Sequence, residues 1–268
     1  MNLNDLMNEM EEWVEQAAAL QLDALNRKHM QVQTKAHDTD FVTDIDLRSE
    51  EILIDCILKR YPDHSVWTEE GGKLDKQSEF VWVIDPIDGT TNFIHGFPLS
   101  SISIALQHNG ITQLGMVYSP PFSMKFQAIR GQGAYYNGQR IQVSQTKDLK
   151  SSLLTTGFPS CGHEPIINLK YFNKMIGRVS GIRRTGSAAL DLCFVAASFF
   201  DGYWEFDLHA WDWCAGALIV EEAGGALFTR EVDGHSLLIC GNPEIAELLQ
   251  SSLLEKDELY KNRGQSIG

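Results

Sequence analysis

The apolar run Val81-Trp82-Val83-Ile84 is broken by Asp85-Pro86-Ile87-Asp88-Gly89-Thr90-Thr91, which sets two carboxylates three residues apart where a buried strand gives way to a turn. Proline has no N–H to give to a β-ladder, so the pattern predicts that the strand stops at Asp85 and the chain turns through Gly89. Both acids then stand at a strand end, where sites are commonly built. Carboxylate and carbonyl oxygens suit Mg²⁺ or Mn²⁺, and the amides and hydroxyls of Gly89, Thr90 and Thr91 suit a phosphate oxygen. Asp, Pro and Gly also favour ordinary solvated turns, so the weight of this reading rests on the other acidic motifs.

Composition narrows the classes of partner. The chain has 268 residues, 43% apolar and 22% charged, which allows one large soluble domain or two lobes sharing a core. With 36 acids against 22 Lys and Arg the formal charge is −14, which disfavours nucleic acid or an anionic membrane as partner. An anionic substrate would need a cation to offset that field. The N-terminus is acidic without a secretory apolar core, and no stretch approaches the roughly 18 uncharged apolar residues of a membrane span, so a cytoplasmic location is expected. The five cysteines are odd in number and contain no C-x-x-C pair, which fits buried free thiols. The eight histidines lack H-x-x-x-H spacing and give no sign of a zinc-protease site.

Leu3, Leu6, Met7, Met10, Trp13, Val14 and Ala17 recur at helical spacing and predict a long first helix, and a second helix is expected over 45–59. Strand 81–84 is followed by strands 101–107 and 113–118, joined by the hairpin signal Asn109-Gly110, and by a meander through 124–129 and Asn137-Gly138. The polar stretch 144–151 reads as a boundary between an N-terminal α+β lobe, 1–145, which carries most of the metal ligands, and a C-terminal α/β lobe, 146–268, which completes one catalytic unit. From Leu153 short strands alternate with helices over 166–176, 187–199 and 213–222 and from Pro243. Helix layers against sheets in both halves predict an α/β (α+β) fold, a layered sandwich with two sheets rather than one doubly wound sheet.

Further acids fall at element ends. Val42-Thr43-Asp44-Ile45-Asp46 opens the second helix, where Thr43 and Asp46 also match a capping box. Trp67-Thr68-Glu69-Glu70-Gly71-Gly72 follows a short apolar stretch, and Asp212 stands between Trp211 and Trp213 at the head of an apolar helix, a place that also suits an N-cap. Clustered carboxylates repel unless cations neutralise them, and a pair of divalent ions can clamp the attacking and leaving oxygens of an in-line displacement.

D-P-I-D-G-T-T-N-F with a later W-D-W-C-A-G-A and E-A-G-G resembles the inositol monophosphatase family of lithium-sensitive, Mg²⁺-dependent phosphatases. The resemblance runs along nearly the whole chain, through V-T-x-x-D at Val42–Asp46, the Glu69-Glu70 pair, G-x-x-Y-x-P at Gly115–Pro120 and Gly186-Ser187-Ala188. It implies an αβαβα sandwich like that of inositol monophosphatase and fructose bisphosphatase, usually as a homodimer. It also implies that Glu69, Asp85 and the Ile87 carbonyl bind a first metal, that Asp85, Asp88 and Asp212 bind a second, and that Asp46, through water, and Glu69 hold a weaker third. Mn²⁺ is a possible substitute for Mg²⁺. Gly89, Thr90 and Thr91 would take the phosphate, while Glu69, Thr90 and Asp46 would serve the attacking water. Lys35 sits where the family often has a lysine near the site.

The haloacid dehalogenase type of phosphatase needs acids at i and i+2, whereas Asp85 and Asp88 are three apart with Pro86 between them. Glu205 lies where inositol monophosphatases place a glutamate that accepts hydrogen bonds from ring hydroxyls, with Gly186, Ser187 and Ala188 lining the same pocket, which favours a small phosphorylated polyol or sugar such as inositol 1-phosphate. Fructose 1,6-bisphosphate, adenosine 3′,5′-bisphosphate and NADP remain open, with Arg183 and Arg184 as candidate contacts for a second phosphate. A regulatory or binding protein that keeps the fold without turnover is the alternative of another class. Thr68 departs from the glycine that many relatives carry before the acidic pair, which bears on the flexibility of that loop.

Overall fold

The computed structural model describes residues 2–27, 30–34, 41–158 and 167–255. Lys35 lies outside the described residues. Helix α1 (Leu3–Arg27) leads through a short antiparallel ribbon, β1 (Val32–Thr34) and β2 (Phe41–Thr43), into α2 (Asp44–Arg60). Then come β3 (Ser65–Thr68), β4 (Gly72–Leu74), β5 (Phe80–Asp88), the short helix α3 (Thr90–Ile94), β6 (Ser101–His108), β7 (Ile111–Ser119), β8 (Met124–Ile129), β9 (Gly133–Tyr136) and β10 (Gln139–Arg140). The strands from β3 onward form an eight-stranded sheet in the order β10-β9-β8-β7-β6-β5-β3-β4. The chain then continues through β11 (Leu153–Thr156), α4 (Ile167–Met175), β12 (Gly181–Arg183), α5 (Ala188–Ala196), β13 (Gly202–Phe206), α6 (Ala210–Glu222), β14 (Ala226–Val232), β15 (His235–Gly241) and α7 (Pro243–Leu254). Its strands make a five-stranded sheet in the order β12-β11-β13-β15-β14.

Strand alternation sorts the side chains into layers. Trp82 and Ile84 face α1 and α2, where they pack with Leu6, Met10, Leu53 and Ile57. Val83, Ala105 and Val117 face the opposite way and meet α5 and α6, whose far sides touch Tyr203, Leu238 and Cys240 of the second sheet. Trp204, Phe206 and Ile239 project from the outer face of that sheet onto Tyr171 and Met175 of α4 and Ile245 and Leu249 of α7. The result is the αβαβα sandwich that the sequence implied. Helix α5 is buried without a break from Ala189 to Ala196 and α6 from Cys214 to Val220, as helices covered by a sheet on each side must be.

Both Asn-Gly hairpin signals hold, with positive φ at Asn109 and Gly110 (51° and 76°) and at Asn137 and Gly138 (46° and 78°), as a type I′ turn requires. Strand β5 corrects the expected stop at Asp85, since it continues through Pro86 to Asp88. Its register against β6 shifts between Asp85 and Asp88, so Pro86 falls in a bulge where no ladder N–H is asked of it. Helix α6 starts at Ala210, three residues before the expected position, and Asp212 is its third residue rather than its N-cap. The β1–β2 ribbon and the β3–β4 hairpin have no counterpart in the sequence reading, because strands of three or four residues carry too little alternation to register.

Where β7 crosses α6 the backbones nearly touch: a Cβ on Gly115 would lie 2.8 Å from the Ala215 carbonyl oxygen. Replacing Gly115 by Val forces sheet and helix apart. We expect Gly115→Val to lower unfolding stability by about 1–3 kcal/mol in urea titrations, whereas an unchanged midpoint would show that the two layers can slide freely.

Candidate active site

Asp85 and Asp88 stand at the end of β5, and β3 runs parallel beside it with Thr68 opposite Ile84. Parallel pairing brings both strand ends to the same edge of the sheet, so Glu69, the residue after β3, arrives beside Asp85. The Glu69 amide donates to the Ile84 carbonyl (3.2 Å), fixing that approach. From the second half, β13 delivers Glu205, the first turn of α6 delivers Asp212, and the N-terminal end of α5 delivers Gly186, Ser187 and Ala188. These residues, with Ile87, Gly89, Thr90 and Thr91, surround one cavity of about 360 Å³. Of the residues singled out in the sequence as site candidates within the described chain, Asp46 and Arg183 do not line it.

Each acid is gripped by donors from its surroundings. Asp88 accepts from the amides of Ala189 (2.8 Å) and Ala188 (3.3 Å) and from the Ser187 hydroxyl, so a residue of the first sheet caps α5. Asp85 accepts from the Ile87 amide (2.9 Å) and Asp212 from the His209 amide (2.7 Å). Asp46 is fully buried and completes the capping box of α2 with Thr43. Its other oxygen lies 3.0 Å from Thr90 Oγ1, which is also 3.0 Å from the Ile87 carbonyl oxygen. Asp46 therefore acts on the cavity through Thr90. Gly89 has φ 89°, and a Cβ there would lie 2.9 Å from the Gly186 carbonyl oxygen, so the turn admits only glycine.

Gathering acids under cover raises their proton affinity. Burial, followed by the charges of Glu69, Asp88 and Asp212, holds Asp85 well above the usual carboxylate range. Burial, then Asp88, does the same to Asp212. Asp88 is pushed up by burial only to about 6, because Ser187 and Ala189 stabilise its charged form. Glu205 is pushed up by burial to about 7, opposed by a hydrogen bond from the Tyr203 hydroxyl and by the charge of Arg184.

The donor set fits a hard divalent cation, since it consists of carboxylates and a carbonyl whose mutual repulsion a positive ion would relieve. Among the described residues no group of three or more His, Cys, Asp or Glu side chains converges in an arrangement that could hold a metal ion. Mg²⁺ does not require three such side chains, because it is usually held by one or two carboxylates with water and phosphate oxygens filling its octahedron.

The sequence reading missed Asp191, which is buried on α5, lines the cavity and accepts from Thr185 Oγ1 (2.7 Å). An acid inside the apolar run Ala188–Ala196 was the available signal. It also missed the aromatic wall of Phe41, Phe158 and His209. Arg184 and Arg183, adjacent in sequence, part company: Arg184 faces the cavity and Arg183 bonds the Ile182 carbonyl at the exposed end of β12.

Glu205 gives a pH prediction. Its folded pKa lies above its ordinary value of 4.5, so the native state binds the extra proton, and this contribution to stability is complete below 4.5 and lost as pH rises through about 7. In EDTA, Glu205→Gln should melt higher than the parent at pH 8 by at least about 2 °C, the shift that about 1 kcal/mol gives at this size. The gap should close toward pH 4.5. A pH-independent difference would contradict the assignment.

Comparison with known proteins agrees with the geometry. The sequence profile of the inositol monophosphatase family matches residues 3–258. A protein named Nus factor SuhB from Pasteurella multocida is 47% identical over 214 residues, covering 79% of this chain and 80% of that one. The structure of an inositol monophosphatase from Anabaena (Nostoc) sp. PCC 7120 has a TM-score of 0.84 at 34% identity, covering 97% of this chain and all of that one. Extragenic suppressor protein suhB from Bartonella henselae has a TM-score of 0.87 at 34% identity, covering 94% and 99% of the two chains. The αβαβα layers, the acidic cavity and these matches together establish that this chain belongs to the inositol monophosphatase family.

Proposed function

We propose that the chain is a Mg²⁺-dependent phosphomonoesterase acting on a small polyol phosphate, inositol 1-phosphate first among them. The observation that carries this is the shared cavity, with Glu69, Asp85, Asp88, Asp212 and the Ile87 carbonyl among its lining and Glu205 completing it from the second sheet. Those acids and that carbonyl would hold two to three divalent ions, Mg²⁺ or Mn²⁺. Such ions supply the positive charge that the acidic wall lacks and acidify a water for attack on phosphorus.

The chain's own groups then orient and move protons. Asp46 and the Ile87 carbonyl compete for the one Thr90 hydroxyl proton, which leaves the Thr90 oxygen lone pairs to accept from the attacking water. The Glu69 carboxylate is the base for the second water proton. Backbone amides at Gly89, Thr90 and Thr91 meet the phosphate oxygens. Glu205, oriented by the Tyr203 hydroxyl, accepts from the polyol hydroxyls, and a Cβ at Gly157 would lie 2.1 Å from its carboxylate oxygens, so glycine there keeps that acid in the cavity.

The relatives named Nus factor SuhB favour a second reading, in which the chain is a regulatory or binding factor that keeps the fold without turnover. Among the described residues no helix is long and apolar enough to cross a membrane.

A substrate panel decides between these readings. At fixed Mg²⁺, inositol 1-phosphate should give a higher kcat/KM than fructose 1,6-bisphosphate, adenosine 3′,5′-bisphosphate or NADP, with EDTA abolishing release and millimolar Li⁺ inhibiting it. No phosphate from any monoester would overturn the catalytic reading in favour of the binding one. Asp85→Asn keeps an acceptor for the Ile87 amide while removing a buried acid whose ionised form is strongly disfavoured. We expect activity below detection together with a gain of about 0.5–2 kcal/mol in EDTA, read from urea titration.

A further inference from the structure

We propose that Glu50 and Thr68 are positioning residues that hold Glu69 on the cavity wall, Glu50 as an anchor on α2 and Thr68 as a latch within the β3–β4 turn. The inference rests on the reading of Glu69 as a cation-binding group. Glu69 sits in the turn of a hairpin at the edge of the eight-stranded sheet, and its outer strand, β4, is three residues long and exposed throughout. So short an edge strand restrains the turn weakly on its own.

The missing restraint comes from α2. Glu50 is only 5% exposed although it is a carboxylate, and its Oε2 accepts from the Glu70 amide (3.0 Å). Burial holds the Glu50 carboxyl above its ordinary range, opposed first by that Glu70 amide. Thr68 Oγ1, 2% exposed, in turn accepts from the Gly71 amide (3.2 Å) and lies 3.3 Å from the Gly72 carbonyl oxygen. Donors on successive residues after Glu69 are thus collected by one buried acid and one buried hydroxyl.

Gly71 is the imprint of that contact. A Cβ at this position would lie 2.6 Å from Glu50 Oε1 and 3.2 Å from Thr68 Oγ1, so the first glycine after the acidic pair lets α2 approach the turn. On the other side, the Glu69 amide is fixed to Ile84, the residue before Asp85. Glu69 is therefore held from both directions. Asp46 and Glu50, one helical turn apart on α2, have parallel duties: the first holds Thr90 and the second holds the turn of Glu69.

Outer partners of metal ligands matter for affinity as well as for shape, typically by about 10- to 100-fold. The decisive variant is Thr68→Val, which keeps volume and charge and deletes the hydroxyl, with Thr68→Ser as the conservative rescue and Glu50→Gln as a second probe. Each full-length protein, stripped with EDTA, is titrated with Mn²⁺ by calorimetry, and its melting temperature is measured in parallel. Thr68→Val and Glu50→Gln should weaken Mn²⁺ binding by about tenfold or more, and Thr68→Ser should bind like the parent. The half-saturating Mg²⁺ of any phosphatase activity should rise in step while substrate KM stays constant. Mn²⁺ affinity equal to that of the parent in folded Thr68→Val and Glu50→Gln would overturn the proposal. So would a loss of affinity confined to variants that have unfolded, or a parent chain that binds no Mn²⁺. A parent that binds Mn²⁺ but releases no phosphate would instead remove the catalytic reading and leave this inference to the titration.

Discussion

The structure is organised around a repulsion. Glu69, Asp85, Asp88 and Asp212 are brought to one cavity, where burial and their mutual charge push Asp85 and Asp212 far toward the protonated form. No element could hold this arrangement alone, because a chain free to relax would separate like charges. Three of the acids are instead fixed by backbone donors, Asp88 by the first amides of α5, Asp212 by His209 and Asp85 by Ile87, while Glu69 is placed by its own amide, which donates to the Ile84 carbonyl of β5. Two apolar layers press these elements together, α1 and α2 on one face of the large sheet and α5 and α6 on the other.

Asp88 shows how closely site and fold are joined. It belongs to β5, yet it caps a helix about a hundred residues later in the chain, so the cavity wall is also a seam between the two sheets. Its pKa of about 6, against the stronger elevation of Asp85 on the same strand, reflects those α5 donors. The site acids are not decorations on a finished scaffold. They are among the contacts that close it, in tension with their own burial.

Much of this was legible in the sequence, for reasons that differ from residue to residue. Asp85-Pro86-Ile87-Asp88-Gly89 announces itself because a proline and a positive-φ glycine leave the chain few conformations, although the bulge that keeps Pro86 inside β5 depends on pairing with β6 and has no local signature. The layers were legible because helical segments stand against strands in both halves and the Asn-Gly turns specify their hairpins. Glu50 and Asp191 were not, since a single acid in a helical pattern looks like a solvent-facing residue until tertiary contacts bury it. Asp46 carried two signals at once, a capping box and a site acid: the structure shows the capping box, with one oxygen on α2, and sets the other oxygen on Thr90 rather than on the cavity.

The same logic extends one layer further out, to α1. Gln21 is 1% exposed within an otherwise apolar stripe, and its Nε2 donates to the Pro86 carbonyl (2.8 Å) and to Ser49 Oγ (3.2 Å). A buried amide is unfavourable unless its hydrogen bonds are made, and Gln21 Oε1 has no partner among the described residues. Pro86 explains why the residue is tolerated: a bulged strand end presents a carbonyl that no neighbouring strand can reach, and a helix must bring the donor. Residues 46, 49 and 50 of α2 thus face three supports of the cavity, Thr90, the Gln21 amide and the turn of Glu69. The polar face of one helix sets the relative positions of the loops that carry the acids, and the apolar faces of α1 and α2 fix that helix to the sheet.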